Sequence, residues 1–307
     1  MKKLIYPFIL LLVLIISACS NETSGKEESS PKKEEHPKTI TYQSENGPIE
    51  VPSNPKRVIL LSGFTGNVID LGVNIVGVDV WSKNNPTFKE ELKDVAEVSD
   101  ENLEKIIELE PDLIIGLSNI KNLDKLKEIA PTVTYTWGKA DYLTQHIEIG
   151  KLLNKEKEAQ AWVDDFKSRA TAAGDEIRSK IGEDATVSVI EAYDKDLYVF
   201  GNNWARGTEI LYQAMNLKMP DKVKEMALKS GYYAISAEVL PEYAGDYVIL
   251  SKYADADHSF QETKTYKNIS AVKNNRVFEM NGNGASFSDP VTLDKQLDFF
   301  KKSFLGN

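Results

Sequence analysis

From about Lys155 to Ile181 the chain contains no proline, and apolar residues fall at Ala159, Trp162, Val163, Phe166, Ala170, Ala173, Ile177 and Ile181. Steps of three and four along such a run place one apolar stripe on one amphipathic α-helix. A helix of about 25 residues is about 38 Å long. That length can run down the back of two lobes and limit how far they open. Gly174 is its weak point, costing up to about 1 kcal/mol relative to alanine.

On either side of this segment, short β-rich runs alternate with helical patterns. Before it come Arg57–Leu61, Asn74–Val78, Pro111–Ile115 and Thr132–Tyr135, with a helical Leu103, Ile106, Ile107 pattern ahead of the third. After it the pattern restarts with Thr186–Ile190, Leu197–Phe200, Asp246–Leu250 and Arg276–Met280. Strands alternating with helices imply parallel pairing through crossovers. Both halves therefore read as α/β, with boundaries at 38–154 for the first lobe, 155–182 for the linking helix and 183–307 for the second. About 270 residues is large for one core and comfortable for two.

The first residues give an address. Lys2 and Lys3 precede an apolar run, Leu4–Ile16, broken only by Pro7 and followed by Ser17-Ala18-Cys19. A charged start, a short apolar core and small residues at its end mark an export signal, residues 1–18. The run is short for a bilayer, which takes about 20 apolar residues. Cys19 is the single cysteine, so no intramolecular disulfide forms. Its place at the end of the signal core marks it as a lipidation site, anchored by acyl chains at about 0.8 kcal/mol per buried CH₂. The polar, charged, Ser/Pro-containing stretch up to residue 37 has nothing to bury and reads as a disordered tether. The expected location is the extracellular face of the cell membrane.

The formal net charge is −10. An acidic body argues against nucleic acid as a partner and suits a cationic or neutral ligand better than a polyanion. His36 lies in the tether, leaving His146 and His258. There is no Gly-x-Ser-x-Gly elbow, phosphate loop or His-Glu-x-x-His pattern, so neither a hydrolase nor another enzyme is expected. Two body histidines are also too few for a zinc or manganese binder.

Several motifs, in order, resemble those of binding proteins that carry iron siderophores, haem and cobalamin. They are Pro55-Lys56-Arg57-Val58, Leu71-Gly72-Val73, Leu103-Glu104-Lys105-Ile106 leading into Glu110-Pro111-Asp112-Leu113-Ile114, Ala130-Pro131-Thr132-Val133 and Tyr243-Ala244-Gly245-Asp246-Tyr247. Within that class the chain looks closest to the ferric-hydroxamate-binding lipoproteins of Gram-positive bacteria. Leu197-Tyr198-Val199-Phe200-Gly201-Asn202-Asn203-Trp204-Ala205-Arg206-Gly207, continued by Glu209–Ala214, carries this likeness. The resemblance implies a class III periplasmic binding protein fold: two Rossmann-like α/β lobes joined by a single long backbone helix. It also implies a protein that binds an Fe(III)–siderophore complex, without an intrinsic cofactor, and hands it to an ABC permease dimer; a monomer is expected, because one-to-one delivery requires no more.

The resemblance assigns ligand contacts to Tyr198, Trp204 and Arg206. The chemistry suits them. A ferric hydroxamate already saturates its iron with oxygens, so the protein supplies a donor for those oxygens and flat walls for the carbon skeleton. Arg206 offers a permanently charged planar fork, and Tyr198 and Trp204 offer broad surface with a polar edge. The alternative makes Tyr198 strand core, Trp204 lobe packing and Arg206 a structural ion pair. Trp81 and Trp137 are cleft candidates in the first lobe, with core packing as the alternative. Phe287 is a candidate in Gly282–Pro290, where Ala285 and Ser286 are small and two glycines suggest a mobile loop. Glu104 and Glu238, one per lobe, match the glutamates that meet permease arginines in this family; such contacts fix orientation and speed encounter. Ordinary surface charge is the alternative. Ferric citrate, catecholates and haem are the rival ligands. Arginine is sparse, and Arg206 alone lies in an evident site motif, which favours a hydroxamate over a multiply anionic complex.

Overall fold

A computed structural model describes residues 38–306. The expected signal peptide (1–18), Cys19 and the tether to residue 37 lie outside the described residues. The body opens with an antiparallel hairpin, β1 (Thr39–Ser44) and β2 (Gly47–Pro52). Asn46-Gly47 at the turn is a strong hairpin signal. Tyr42 and Val51 tuck this hairpin against the first lobe's core.

The first lobe is a five-stranded sheet. Its strands are β3 (Val58–Leu60), β4 (Ile75–Val78), β5 (Ala96–Glu97), β6 (Leu113–Leu117) and β7 (Thr132–Tyr135). They lie in the order β5-β4-β3-β6-β7, and every pair is parallel. Helices α1 (Thr65–Asp70), α2 (Val80–Lys83), α3 (Leu103–Glu108) and α4 (Leu123–Ile129) lie on the crossovers. Val58 and Leu60 face one apolar cluster while Ile59 and Leu61 face another. Burial on both faces is why β3 is a continuous apolar run rather than an alternating one.

After α5 (Tyr142–Leu152) comes α6, Glu156–Ile181, the long helix expected from its periodicity. Its Ala159 lies in the first lobe's core, whereas Val163, Phe166, Ala170, Ala173 and Ile177 lie in the second's. One helix thus belongs to both cores. Gly174 has a packing reason: a Cβ there would sit 2.6 Å from the backbone of Met215.

The second sheet contains β8 (Val187–Tyr193), β9 (Asp196–Phe200), β10 (Tyr232–Ile235), β11 (Tyr247–Lys252) and β12 (Val277–Asn281), in the order β10-β9-β8-β11-β12. Here the expectation of parallel pairing needs correction. β11 runs parallel to β8 and β12, but β9 runs antiparallel to both β8 and β10. Only Asp194-Lys195 separates β8 from β9, with Asp194 at φ +51°. Two residues make a hairpin; a parallel crossover needs a dozen or more.

Helices α7 (Asp221–Ala227), α8 (Leu240–Tyr243), α9 (Lys264–Lys267), α10 (Ser270–Lys273) and α11 (Gly282–Ala285) decorate this lobe. The final helix, α12 (Pro290–Leu305), buries Leu293, Leu297, Phe300 and Phe304 in the second core. Its start crosses to the first lobe. A Cβ on Gly66 of α1 would fall 1.7 Å from the Asp289 carboxylate that caps α12. Trp162 of α6 stacks on Phe166 and donates through Nε1 to Asp294 of α12 at 3.1 Å. The lobes are therefore joined by α6 and by the α1–α12 contact.

Candidate functional site

A cleft of ≈ 260 Å³ opens where the two lobes face each other. The first lobe contributes Phe64, Trp81, Leu117, Trp137 and Tyr142; the second contributes Asn203, Glu209 and the Ser286-Phe287-Ser288 segment. Loops following strand carboxyl ends supply much of this lining, as is usual for α/β sheets. Among the lining residues the charged ones are Asp79 and Glu209, both acidic.

Local structure explains how the aromatics reach the cleft. Trp81 lies in α2, whose first turn is capped by Asp79 accepting from Trp81 N (2.9 Å) and Ser82 N (3.1 Å). Trp81 is 56% exposed, and Trp137, two residues past β7, is 64% exposed. Exposure of this extent rules out the core-packing alternative for both tryptophans. Phe287 behaves differently. It is buried, joins the first lobe's core cluster and meets Phe88 edge-on at 5.7 Å, so it both lines the cleft and ties the lobes together.

Tyr198, Trp204 and Arg206 do not line this volume but form a rim beside it. Trp204 meets Trp137 edge-on across the cleft at 6.2 Å. Behind it stands Tyr232, 5.1 Å from Trp204 and 6.0 Å from Tyr198. The four rings thus run from one lobe to the other. Trp204 can seat there because residue 231 is glycine: a Cβ would enter the indole at 2.3 Å.

The turn carrying Trp204 is strained. Ala205 and Arg206 both hold positive φ, +54° and +55°. Each such L-residue costs roughly 1–2 kcal/mol, and strain of this kind survives only where its surroundings enforce it. Here Ala205 N donates to Glu209 Oε1 (2.9 Å), Arg206 N to Ala285 O (2.8 Å) and Trp204 N to Thr208 Oγ1 (3.0 Å). Glu209 begins a π-helical turn, Glu209–Ala214. Burial pushes its carboxyl up, against hydrogen bonds from Ala205, Thr208 and Ser288 that pull it down.

Arg206 forms the ion pair that was its structural alternative, and the partner, Glu191, is one that the sequence motifs do not name. Its Nε and Nη2 bind Glu191 bidentately at 2.8 and 2.9 Å, and its guanidinium lies over Phe200 at 5.0 Å. Burial opposes its charge, but the hydrogen bonds and negative charge of Glu191, with Tyr253 and Glu209 nearby, together outweigh this and leave its pKa above the ordinary value. A signal for Glu191 was present: a lone carboxylate inside the run Val187-Ser188-Val189-Ile190-Glu191-Ala192 has to be paired. Tyr232 carried no comparable signal.

The 282–290 segment, expected as a mobile loop, contains α11 and is held by hydrogen bonds. Ser286 Oγ donates to Gly282 O (2.7 Å) and shares a hydrogen bond with the Tyr253 hydroxyl (2.6 Å). Glu104, in the first turn of α3, and Glu238, in the turn after β10, are both exposed and lie on different lobes. A hydrogen bond from Ser236 holds the Glu238 carboxyl below its usual range. Among the described residues no cluster of three or more His, Cys, Asp or Glu side chains is placed to hold a metal ion.

Residues 59–283 match the model of a family described as periplasmic binding protein. This chain belongs to that family. The binding protein is 36% identical to the iron(3+)-hydroxamate-binding protein FhuD of Bacillus subtilis (strain 168), over 96% of this chain and 95% of that one. It is also 36% identical to the iron(3+)-hydroxamate-binding protein YxeB of the same organism, over 97% and 95%. Among solved structures it resembles Staphylococcus aureus FhuD2 with bound ferrioxamine B. The TM-score is 0.78 and the identity 33%, covering 82% of this chain and 99% of that one. Two α/β lobes joined by one long helix are thus the class III binding-protein fold.

Proposed function

We propose that this chain is the extracellular substrate-binding lipoprotein of an ABC importer, taking an Fe(III)–hydroxamate siderophore into its interlobe cleft for delivery to the permease. The observation that carries this is its 36% identity, over nearly the whole chain, to two proteins named as iron(3+)-hydroxamate-binding. The cleft chemistry supports the same reading. Trp81, Trp137 and Trp204 give flat walls for a carbon skeleton, and Arg206 gives N–H donors at the rim for hydroxamate oxygens. The iron arrives with its coordination complete and is cargo, so the protein adds neither a ligand nor a catalytic group.

In this reading, Tyr198 and Tyr232 extend the aromatic wall. Phe287 closes its inner side. Lobes 38–154 and 183–307 move about helix 155–182, and Glu104 and Glu238 meet the permease dimer. Lipidation of Cys19 holds a monomer at the membrane's outer face.

The test is a tryptophan-fluorescence titration of the full chain in detergent with ferrioxamine, ferrichrome, ferric citrate, a ferric catecholate and haem. Saturable quenching by the hydroxamates, strongly weakened in Arg206→Ala, is expected. Tight citrate, catecholate or haem binding with no hydroxamate response would overturn the ligand while leaving the fold intact.

A further inference from the structure

Glu191 lies near the carboxyl end of β8 and is 3% exposed. In register it sits beside Ser251 of β11 and Tyr198 of β9, which brings the three side chains to one face of the sheet. Its carboxylate accepts from Arg206 Nε and Nη2 and from Ser251 Oγ at 2.8 Å. A guanidinium has five N–H donors; Glu191 and the Trp204 carbonyl take three of them. The remaining two are on the terminal nitrogens, and the Arg206 side chain keeps 15% exposure.

Two consequences follow. Arg206 can still donate outward, but its positive charge is cancelled by a carboxylate in direct contact. The charged residues lining the adjoining cleft are Asp79 and Glu209, so no cation lines the cleft, and the guanidinium beside it is paired.

We propose that Glu191 is a specificity-determining residue. It orients Arg206 as a hydrogen-bond donor and neutralises it, so that the site accepts neutral or cationic ferric complexes and discriminates against multiply anionic ones. This rests on the reading above that the complex sits against Arg206. A positioning role alone would weaken every ligand together when Glu191 is changed. A charge role changes the ratio between ligands, because removing one negative charge a few ångströms from the site favours anions selectively.

The experiment measures affinities of the full chain, Glu191→Gln and Arg206→Ala for ferrichrome, a neutral trihydroxamate, and for ferric citrate. Gln is close to Glu in shape and keeps an acceptor for the guanidinium. The hydroxamate-to-citrate affinity ratio is expected to fall about tenfold in Glu191→Gln. An unchanged ratio in Glu191→Gln, alongside weakened ferrichrome binding in Arg206→Ala, overturns the role of Glu191 and keeps the site. Unaltered ferrichrome binding in Arg206→Ala overturns the site reading and this inference with it. A second measurement needs no variant. On the unaltered chain, ferrioxamine B with its terminal amine succinylated, hence anionic, is expected to bind about tenfold more weakly than the neutral N-acetyl derivative. Equal or tighter binding of the succinylated form overturns the inference.

Discussion

Trp137 of the first lobe and Trp204 of the second meet edge-to-face across the cleft, ring centroids 6.2 Å apart and planes at 77°. This is a favourable aromatic geometry, worth about 0.5–1.5 kcal/mol beyond the area it buries. Trp137 is otherwise largely exposed. Trp137→Ala should therefore cost no more than about 2 kcal/mol of stability while weakening ferric hydroxamate binding by roughly tenfold. Calorimetric titration beside a thermal melt checks both. Unchanged affinity would remove Trp137 from the binding wall.

Gly174 lies on the buried face of α6. In an unobstructed helix, Gly→Ala gains up to about 1 kcal/mol. Here the added methyl would press on the Met215 backbone at 2.6 Å, and backbone cannot step aside as a flexible side chain can. Gly174→Ala should therefore destabilise the protein by about 1–3 kcal/mol, read as a lower denaturation midpoint. A rise in the midpoint would show that α6 and the following π-helical turn have room to separate.

Asp289 caps α12, accepting from the Thr292 backbone N–H and its hydroxyl, both at 3.0 Å, inside the interlobe contact. Burial pushes its carboxyl from 3.8 up to about 6 despite those hydrogen bonds. A pKa raised on folding means that the folded state holds the proton more tightly. The associated stability is full below about pH 4 and is lost as pH rises through about 6. Asn is as good a helix cap as Asp and has no charge to bury. Asp289→Asn should match the unaltered chain below pH 4 and exceed it above pH 6, by at most about 3 kcal/mol. Melting curves between pH 3.5 and pH 8 test this, and parallel curves would refute it.

Glu104 and Glu238 are exposed and stand on separate lobes. If they guide docking, the double variant Glu104→Ala, Glu238→Ala should bind ferric hydroxamate with unchanged affinity while iron uptake by cells drops several-fold. The loss should deepen at low ionic strength, where steering by charge is strongest. Uptake at the unaltered rate would return both to the ordinary acidic surface.

Local order governed what could be read from the chain directly. The α6 periodicity, the apolar β-runs and the restart after residue 184 each reflect neighbours in sequence sharing a face, and their positions agree with α6, β3, β4, β6, β7, β8, β9, β11 and β12. The β1–β2 hairpin was also legible in Asn46-Gly47 but was not anticipated. The direction of β9 departs from the expected parallel pairing because apolar content marks a strand without giving its orientation; the two-residue link Asp194-Lys195 carries that information.

By itself, then, the sequence determined two α/β halves, the helix between them and the loop bearing Trp204 and Arg206, because hydrophobic period and turn chemistry act over a few residues. Tertiary structure alone decided the partners. It placed Glu191 against Arg206, Phe287 against Phe88 and Trp137 against Trp204. Each pair joins residues from different elements, and nothing along the chain encodes their distance or angle. Those follow from how two sheets and the α1–α12 contact pack about α6. That packing also sets the cleft's charge, because whether a side chain's charge is free or cancelled depends on its neighbour in space.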